Sequence, residues 1–206
     1  MLTFIPMVWK EYSSQTQTVS ELSAIGSPTR AIWYPIGLVY TLLMSVFGYG
    51  VWSSSNKNKP LRFVGVVLMI YGIIGIYWPP MHLRGEPTTL TDSLHIVWTV
   101  LTVLLMTIAI AVGSAAFDKL FKYYSIATVV LLLIFGFLTS SEAPNVPKDL
   151  PTPWIGIWER INIGVFLLWI LALSASVLRR IYPPTKKAAQ ERADTLALKK
   201  IRANGR

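Results

Sequence analysis

The chain has 206 residues, of which 53% are apolar and only 14% charged, with eight Trp, nine Tyr and eight Phe. A soluble domain carries roughly 25% charged residues, so this composition excludes an ordinary soluble fold and points to a multi-pass protein embedded in the lipid bilayer. The net charge is +9, yet nine of the 19 basic residues lie from Arg179 onward, directly behind an apolar segment. That placement suits anionic lipid at the basic tail rather than nucleic acid.

There is no cysteine, which excludes disulfides, thiolate metal sites and Cys nucleophiles. In chain order, residues 2–9 are apolar but far short of the roughly 20 needed to span a bilayer. They are expected to be an interfacial anchor or the remnant of an upstream helix. A polar stretch rich in Ser, Thr and Gln follows, and Gly26-Ser27-Pro28 breaks the chain before the first span.

Five spans are predicted, over residues 31–52, 61–78, 93–117, 123–138 and 154–178. In the first, Gly37, Thr41, Ser45 and Gly48 recur at helical spacing, which predicts one face in close contact with a neighbouring helix. Glycines 48, 50, 72 and 75 are assigned to helix packing, because no strand or phosphate-loop context surrounds them. Trp78-Pro79-Pro80 ends the second span, since consecutive prolines remove backbone donors. Thr91 or Asp92 is expected to cap the third span. The four prolines between residues 139 and 153 argue against a helix there. Beyond the fifth span, residues 185–202 suggest an Ala-rich amphipathic helix.

The reading is therefore an all-α, polytopic transmembrane helix bundle in three parts: an extracytoplasmic N-terminal segment (1–30), a five-helix bundle (31–178) and a basic cytoplasmic tail (179–206). Charge sets its orientation. Lys57, Lys59, Arg62, Lys119, Lys122 and the tail define one side, whereas the other has five basic and seven acidic residues. The basic side, with the C-terminus, is placed in the cytoplasm.

Both histidines lie in or near the polar loop after the second span, and ionisable groups at membrane depth generally face a bundle interior. Asp92, His95, Thr99 and Thr102 fall on one helical face, as do Glu159 and Asn162. Arg160 points about 100° away from Glu159, which disfavours a direct pair. The loop adds His82 and Arg84, and the first segment adds Glu21 and Arg30. One reading is an outward-facing pocket of His82, Asp92, His95 and Glu159, open to a divalent metal such as zinc. The other is structural: Asp92 caps its helix, and His95 and Glu159 bond across helices. Ser20-Glu21 lacks a nucleophile-elbow context and reads as a cap or loop contact.

Three segments carry a family resemblance: Tyr12 to Gly26, Trp78 to His95, and Gly156-Ile157-Trp158-Glu159-Arg160-Ile161-Asn162. Together they resemble the domain-of-unknown-function 998 family. The resemblance implies an uncharacterised multi-pass protein of the prokaryotic cytoplasmic (inner) membrane, whose members usually have a further N-terminal helix. It also implies that the three polar segments gather at one site, with Glu21, His82, Arg84, Asp92, His95, Glu159, Arg160 and Asn162 as its candidate members. The family supplies no activity, cofactor or oligomeric state. Two functions follow as expectations: a non-enzymatic protein that binds a lipid, small ligand or partner through the polar cluster, or a membrane-embedded, metal-dependent lipid hydrolase. A proton-coupled carrier is disfavoured, because the cytoplasmic halves of the spans are too apolar.

Overall fold

A computed structural model describes residues 3–183. The chain divides into two compact units, Met1–Ala172 and Leu173–Arg206, and of the second only the end of the last long helix and two residues beyond it are described. The basic tail, the amphipathic helix expected over residues 185–202 and the tail's contact with anionic lipid all lie outside the described residues.

Five helices are long and apolar enough to cross a membrane: α1 (Arg30–Ser53), α2 (Lys59–Ile76), α3 (Leu90–Gly113), α4 (Lys119–Glu142) and α5 (Ile155–Ile181). At 1.5 Å rise per residue, the 24 residues of α1 reach about 36 Å, enough to cross the hydrocarbon core. Among the described residues there is no strand, and a single parallel bridge pairs Ile25 with His82. The protein is an all-α helical bundle and an integral membrane protein.

Local chemistry fixes the helix ends. Asn58 caps α2 by accepting a hydrogen bond from the Leu61 N–H at 3.0 Å, with Pro60 in the first turn. Asp118 does the same for α4 through the Phe121 N–H at 2.9 Å. The cap of α3 is Thr89 rather than Thr91 or Asp92. Asp92 occupies the third helical position and reaches back to the Thr89 N–H, forming a capping box. The fourth helix outruns its apolar centre at both ends. Thr139, Ser140 and Ser141 lie in its last turn, where their hydroxyls donate back to the carbonyls of Phe135, Phe137 and Leu138. Pro144 and Pro147 then divert the chain into a 3-10 turn, Ala143–Lys148.

Packing in the bundle follows the small residues. A Cβ added to Gly72 would lie 2.2 Å from Ser45 Oγ and 2.6 Å from the Thr41 carbonyl oxygen, and one on Gly48 would lie 2.6 Å from the Met69 nitrogen. Backbones that approach so closely exclude any side chain larger than hydrogen. Gly65 and Gly75 are equally enclosed, against Trp52 and Thr41, whereas Gly37 and Gly50 face open space and take no part. Elsewhere Trp169 on α5 is fully buried; its indole N–H donates to Ser125 Oγ on α4 at 3.0 Å, and Phe166 meets Tyr71 of α2 at 5.5 Å between ring centroids. Leu43, Val46, Ile73, Phe137 and Leu168 are exposed, as expected of surfaces that meet lipid.

Candidate functional site

The polar residues collect where α1 and α3 begin and α2 and α4 end. The segment before α1 is ordered by its own side chains. The Tyr12 hydroxyl donates to the carbonyls of Thr18 (2.7 Å) and Gln17 (3.2 Å), closing the chain into a loop. The sequence Thr18-Val19-Ser20-Glu21 then forms a reciprocal cap. The Thr18 N–H donates to Glu21 Oε2 at 2.7 Å, and the Glu21 N–H donates to Thr18 Oγ1 at 3.1 Å. This is the Thr-x-x-Glu spacing of a helix start, and it opens the short 3-10 turn Ser20–Ser23.

Glu21 has 0% exposure. Its carboxylate accepts from Arg84 Nε at 2.8 Å and Nη2 at 3.2 Å, across a sequence separation of 63 residues. The same guanidinium donates to the Thr16 carbonyl (3.0 Å) and the Thr152 hydroxyl (3.3 Å), and Thr152 in turn donates to the Thr16 carbonyl at 2.7 Å. Arg84 therefore joins three chain segments through one side chain. The Glu21 carboxylate hydrogen-bonded to it holds the Arg84 guanidinium above its ordinary pKa, against the opposing effect of burial.

The start of α5 supplies the second anchor. The carboxylate of Glu159 accepts from the Val19 N–H at 2.6 Å and from the Ser20 hydroxyl at 3.3 Å. Arg160 diverges from it, as 3.6-residue geometry requires. Its Nη1 donates to the carbonyls of Ser14 (2.8 Å) and Gly156 (2.9 Å), its Nη2 donates to Tyr12 Oη at 2.7 Å, and its guanidinium lies over the Tyr12 ring at 5.6 Å. Gly156 makes this approach possible. A Cβ there would fall 2.2 Å from the Gln17 carbonyl oxygen and 2.5 Å from that of Ser14.

Burial pushes the Tyr12 hydroxyl from 10.0 up to about 12, although Arg160 pulls the other way. A raised acid pKa contributes stability that is present below the unfolded value and lost as pH climbs through the folded one. The protein is thus expected to lose stability between about pH 10 and 12 through this group. Tyr12→Phe should remove that alkaline phase from a tyrosinate absorbance titration. At neutral pH it should cost about 1–3 kcal/mol, because Arg160 Nη2 loses its acceptor. An alkaline phase unchanged in the variant would assign the transition to another tyrosine.

The two histidines do not meet. His82 donates its backbone N–H to Asp92 Oδ1 at 2.7 Å, and its Nδ1 pairs with Asp92 Oδ2 at 2.8 Å. Asp92 also accepts from the Thr89 N–H in the capping box of α3, so its carboxylate is taken up by the loop and the helix start. His95 is buried, with Nδ1 on the Pro79 carbonyl at 2.8 Å and its ring edge-on to Trp78. Below it, Thr99 donates to the His95 carbonyl and Thr102 to that of Thr99. The two threonines of the polar stripe on α3 are thereby satisfied within their own helix, whereas Asp92 and His95 bond to the loop before it. Asn162 makes no hydrogen bond to these groups, and its Oδ1 is buried without a partner among the described residues. Among the described residues, no three or more His, Asp or Glu side chains are grouped to hold a metal ion.

Of the predicted residues, the structure pairs Glu21 with Arg84 and His82 with Asp92, and anchors Glu159 and Arg160 on the N-terminal segment. It leaves His95 and Asn162 separate. Sequence reasoning missed Tyr12, Thr18 and Thr152. The Thr-x-x-Glu spacing could have revealed Thr18, whereas nothing local marks Tyr12 or Thr152.

A cleft of about 700 Å³ opens beside this cluster, lined by Ser27, Arg30, Tyr34, Tyr77, Trp78 and Pro80, among others. One wall is the end of the N-terminal segment and the first turn of α1; the other is the end of α2. The Ile25 N–H donates to the Met81 carbonyl at 2.8 Å, tying the walls together. Gly26 makes the turn after that bond, with φ at 87° in the left-handed region that favours glycine.

No curated protein and no solved structure matches the chain. A family described as a protein of unknown function, DUF998, matches residues 2–176, and the chain belongs to that family.

Proposed function

We propose that this protein is a non-enzymatic binding protein of the prokaryotic cytoplasmic membrane, with its polar cluster facing outward and its C-terminus in the cytoplasm. The excess of basic residues on the opposite turns and tail supports that orientation. The ligand is lipid-like, and the cleft between the starts of α1 and the end of α2 receives it. The polar cluster contributes by building that cleft: Glu21, Arg84 and the Ile25–Met81 bond hold the segment bearing Ser27 and Arg30 against the loop bearing Trp78 and Pro80.

One observation carries this reading. Within the cluster the carboxylates of Glu21, Asp92 and Glu159 each hold partners from the same chain, while the adjacent cleft is roomy and lined by aromatic rings. A concave aromatic surface with a few polar groups suits an amphipathic ligand better than catalysis. A hydrolase would need an imidazole or carboxylate directed at substrate rather than at its own backbone.

A photoreactive amino acid in place of Tyr34 tests the proposal. In native membranes it should form lipid adducts in clearly higher yield than the same residue in place of Val46, which is exposed on α1 away from the cleft. Equal yields would reduce the cleft to ordinary lipid contact, and the proposal would fall.

A further inference from the structure

Among the described residues the cleft contains one charged side chain, Arg30, and its charge has no counterpart there. Neither of the two ion pairs among the described residues includes it. Its Nη1 donates to the Ser23 carbonyl, which fixes the guanidinium in place while leaving its remaining N–H groups for another acceptor. The next residue, Ala31, also lines the cleft. Its N–H belongs to the first turn of α1, where no earlier helical carbonyl exists, and it has no acceptor among the described residues. The positive end of a 24-residue helix adds to the field at this point. A fixed guanidinium, an unmatched backbone N–H and a helix N-terminus thus converge on one cavity with no acid among its described lining residues.

The cleft also faces lipid. Tyr34 and Tyr77 are 50% and 56% exposed, in the first turn of α1 and just past the end of α2, where aromatic side chains sit at a lipid–water interface. One turn deeper, Leu38 on α1 and Ile73 on α2 are exposed and apolar.

Resting on the binding reading above, we infer that the cleft selects an anionic phospholipid from the surrounding leaflet. The phosphate is held by Arg30 and the Ala31 N–H, and the chains lie along Leu38 and Ile73. Charge complementarity makes the choice. A zwitterionic lipid would carry its own ammonium into a site that already holds an unpaired guanidinium and a positive helix end. An anionic lipid brings only the compensating charge.

The test is lipid retention by the purified full-length protein in bilayers of equal phosphatidylglycerol and phosphatidylcholine content, read by native mass spectrometry. Wild type is expected to retain phosphatidylglycerol about fivefold over phosphatidylcholine, the preference one interfacial arginine provides. Arg30→Gln should bring that ratio close to parity by lowering the retained phosphatidylglycerol, and Arg30→Lys should keep most of the preference. High salt should weaken the wild-type preference, since the mouth of the cleft is open to screening. This salt response keeps the test decisive even if Arg30→Gln does not fold. No preference in wild type, or a preference that survives in Arg30→Gln or in high salt, would overturn the inference. If wild type retains no more of either lipid than a Tyr34→Ala, Tyr77→Ala variant, the binding reading itself fails.

Discussion

Glu21→Ala is expected to destabilise the protein by about 3–5 kcal/mol, measured as thermal or denaturant unfolding in detergent. That is the range for removing one member of a buried charge pair. The carboxylate is completely enclosed, and its loss strands the Arg84 guanidinium between the Thr16 carbonyl and the Thr152 hydroxyl. Arg84→Ala should cost at least as much, since the charge it leaves behind is the more deeply buried one. The double variant should cost clearly less than the sum of the two, because each single change already removes the same ion pair. Strictly additive costs would show that the two side chains act independently. Limited proteolysis should report the same event locally, with cleavage between Tyr12 and Ser27 appearing in Glu21→Ala before the helices are attacked.

A second pair of substitutions uses identical chemistry with opposite expected signs. Gly156→Ala places a methyl group 2.2 Å from the Gln17 carbonyl oxygen and 2.5 Å from that of Ser14. Both are backbone atoms, so the N-terminal segment must lift away from α5. The hydrogen bonds from the Gly156 N–H to the Gln15 carbonyl (3.0 Å) and from Arg160 to the Ser14 carbonyl are then lost. A net loss of about 1–3 kcal/mol is expected, the usual cost of overpacking, even though alanine favours the helix. Gly164→Ala lies two turns further along the same helix and meets nothing within 4 Å. There the helix preference acts alone and should stabilise by up to about 1 kcal/mol. If both variants shift stability in the same direction, close contact at Gly156 is not what holds the segment.

These expectations give the polar residues a common role. Glu21 and Glu159 are both carboxylates that bind the backbone of the N-terminal segment, one joined to the loop after α2 and the other part of α5. Buried polar groups are costly unless partnered, so two such groups aimed at one short stretch mark it as an integral part of the fold. The stretch ends at Ser27 and Arg30, which line the cleft. Loss of the Glu21–Arg84 pair is therefore expected to disturb the cleft as well as the stability.

By itself, the sequence determined that this is an all-α bundle of five membrane-crossing helices. Long apolar runs are a local property: twenty consecutive side chains that favour lipid require a helix, whatever lies next to them. It also picked out the segments that matter, since ionisable residues stand out against an apolar background. The spacing at Thr18 and Glu21 already encoded a cap. Tertiary structure alone decided the partners. Nothing local joins Glu21 to a residue 63 positions away, or aims Glu159 at the Val19 N–H rather than at a neighbouring helix. Arg30 was legible as a polar addition from the first segment, but without its surroundings. The cleft around it exists because Trp78 and Pro80 end one helix beside the start of another, and their approach is a property of the folded chain.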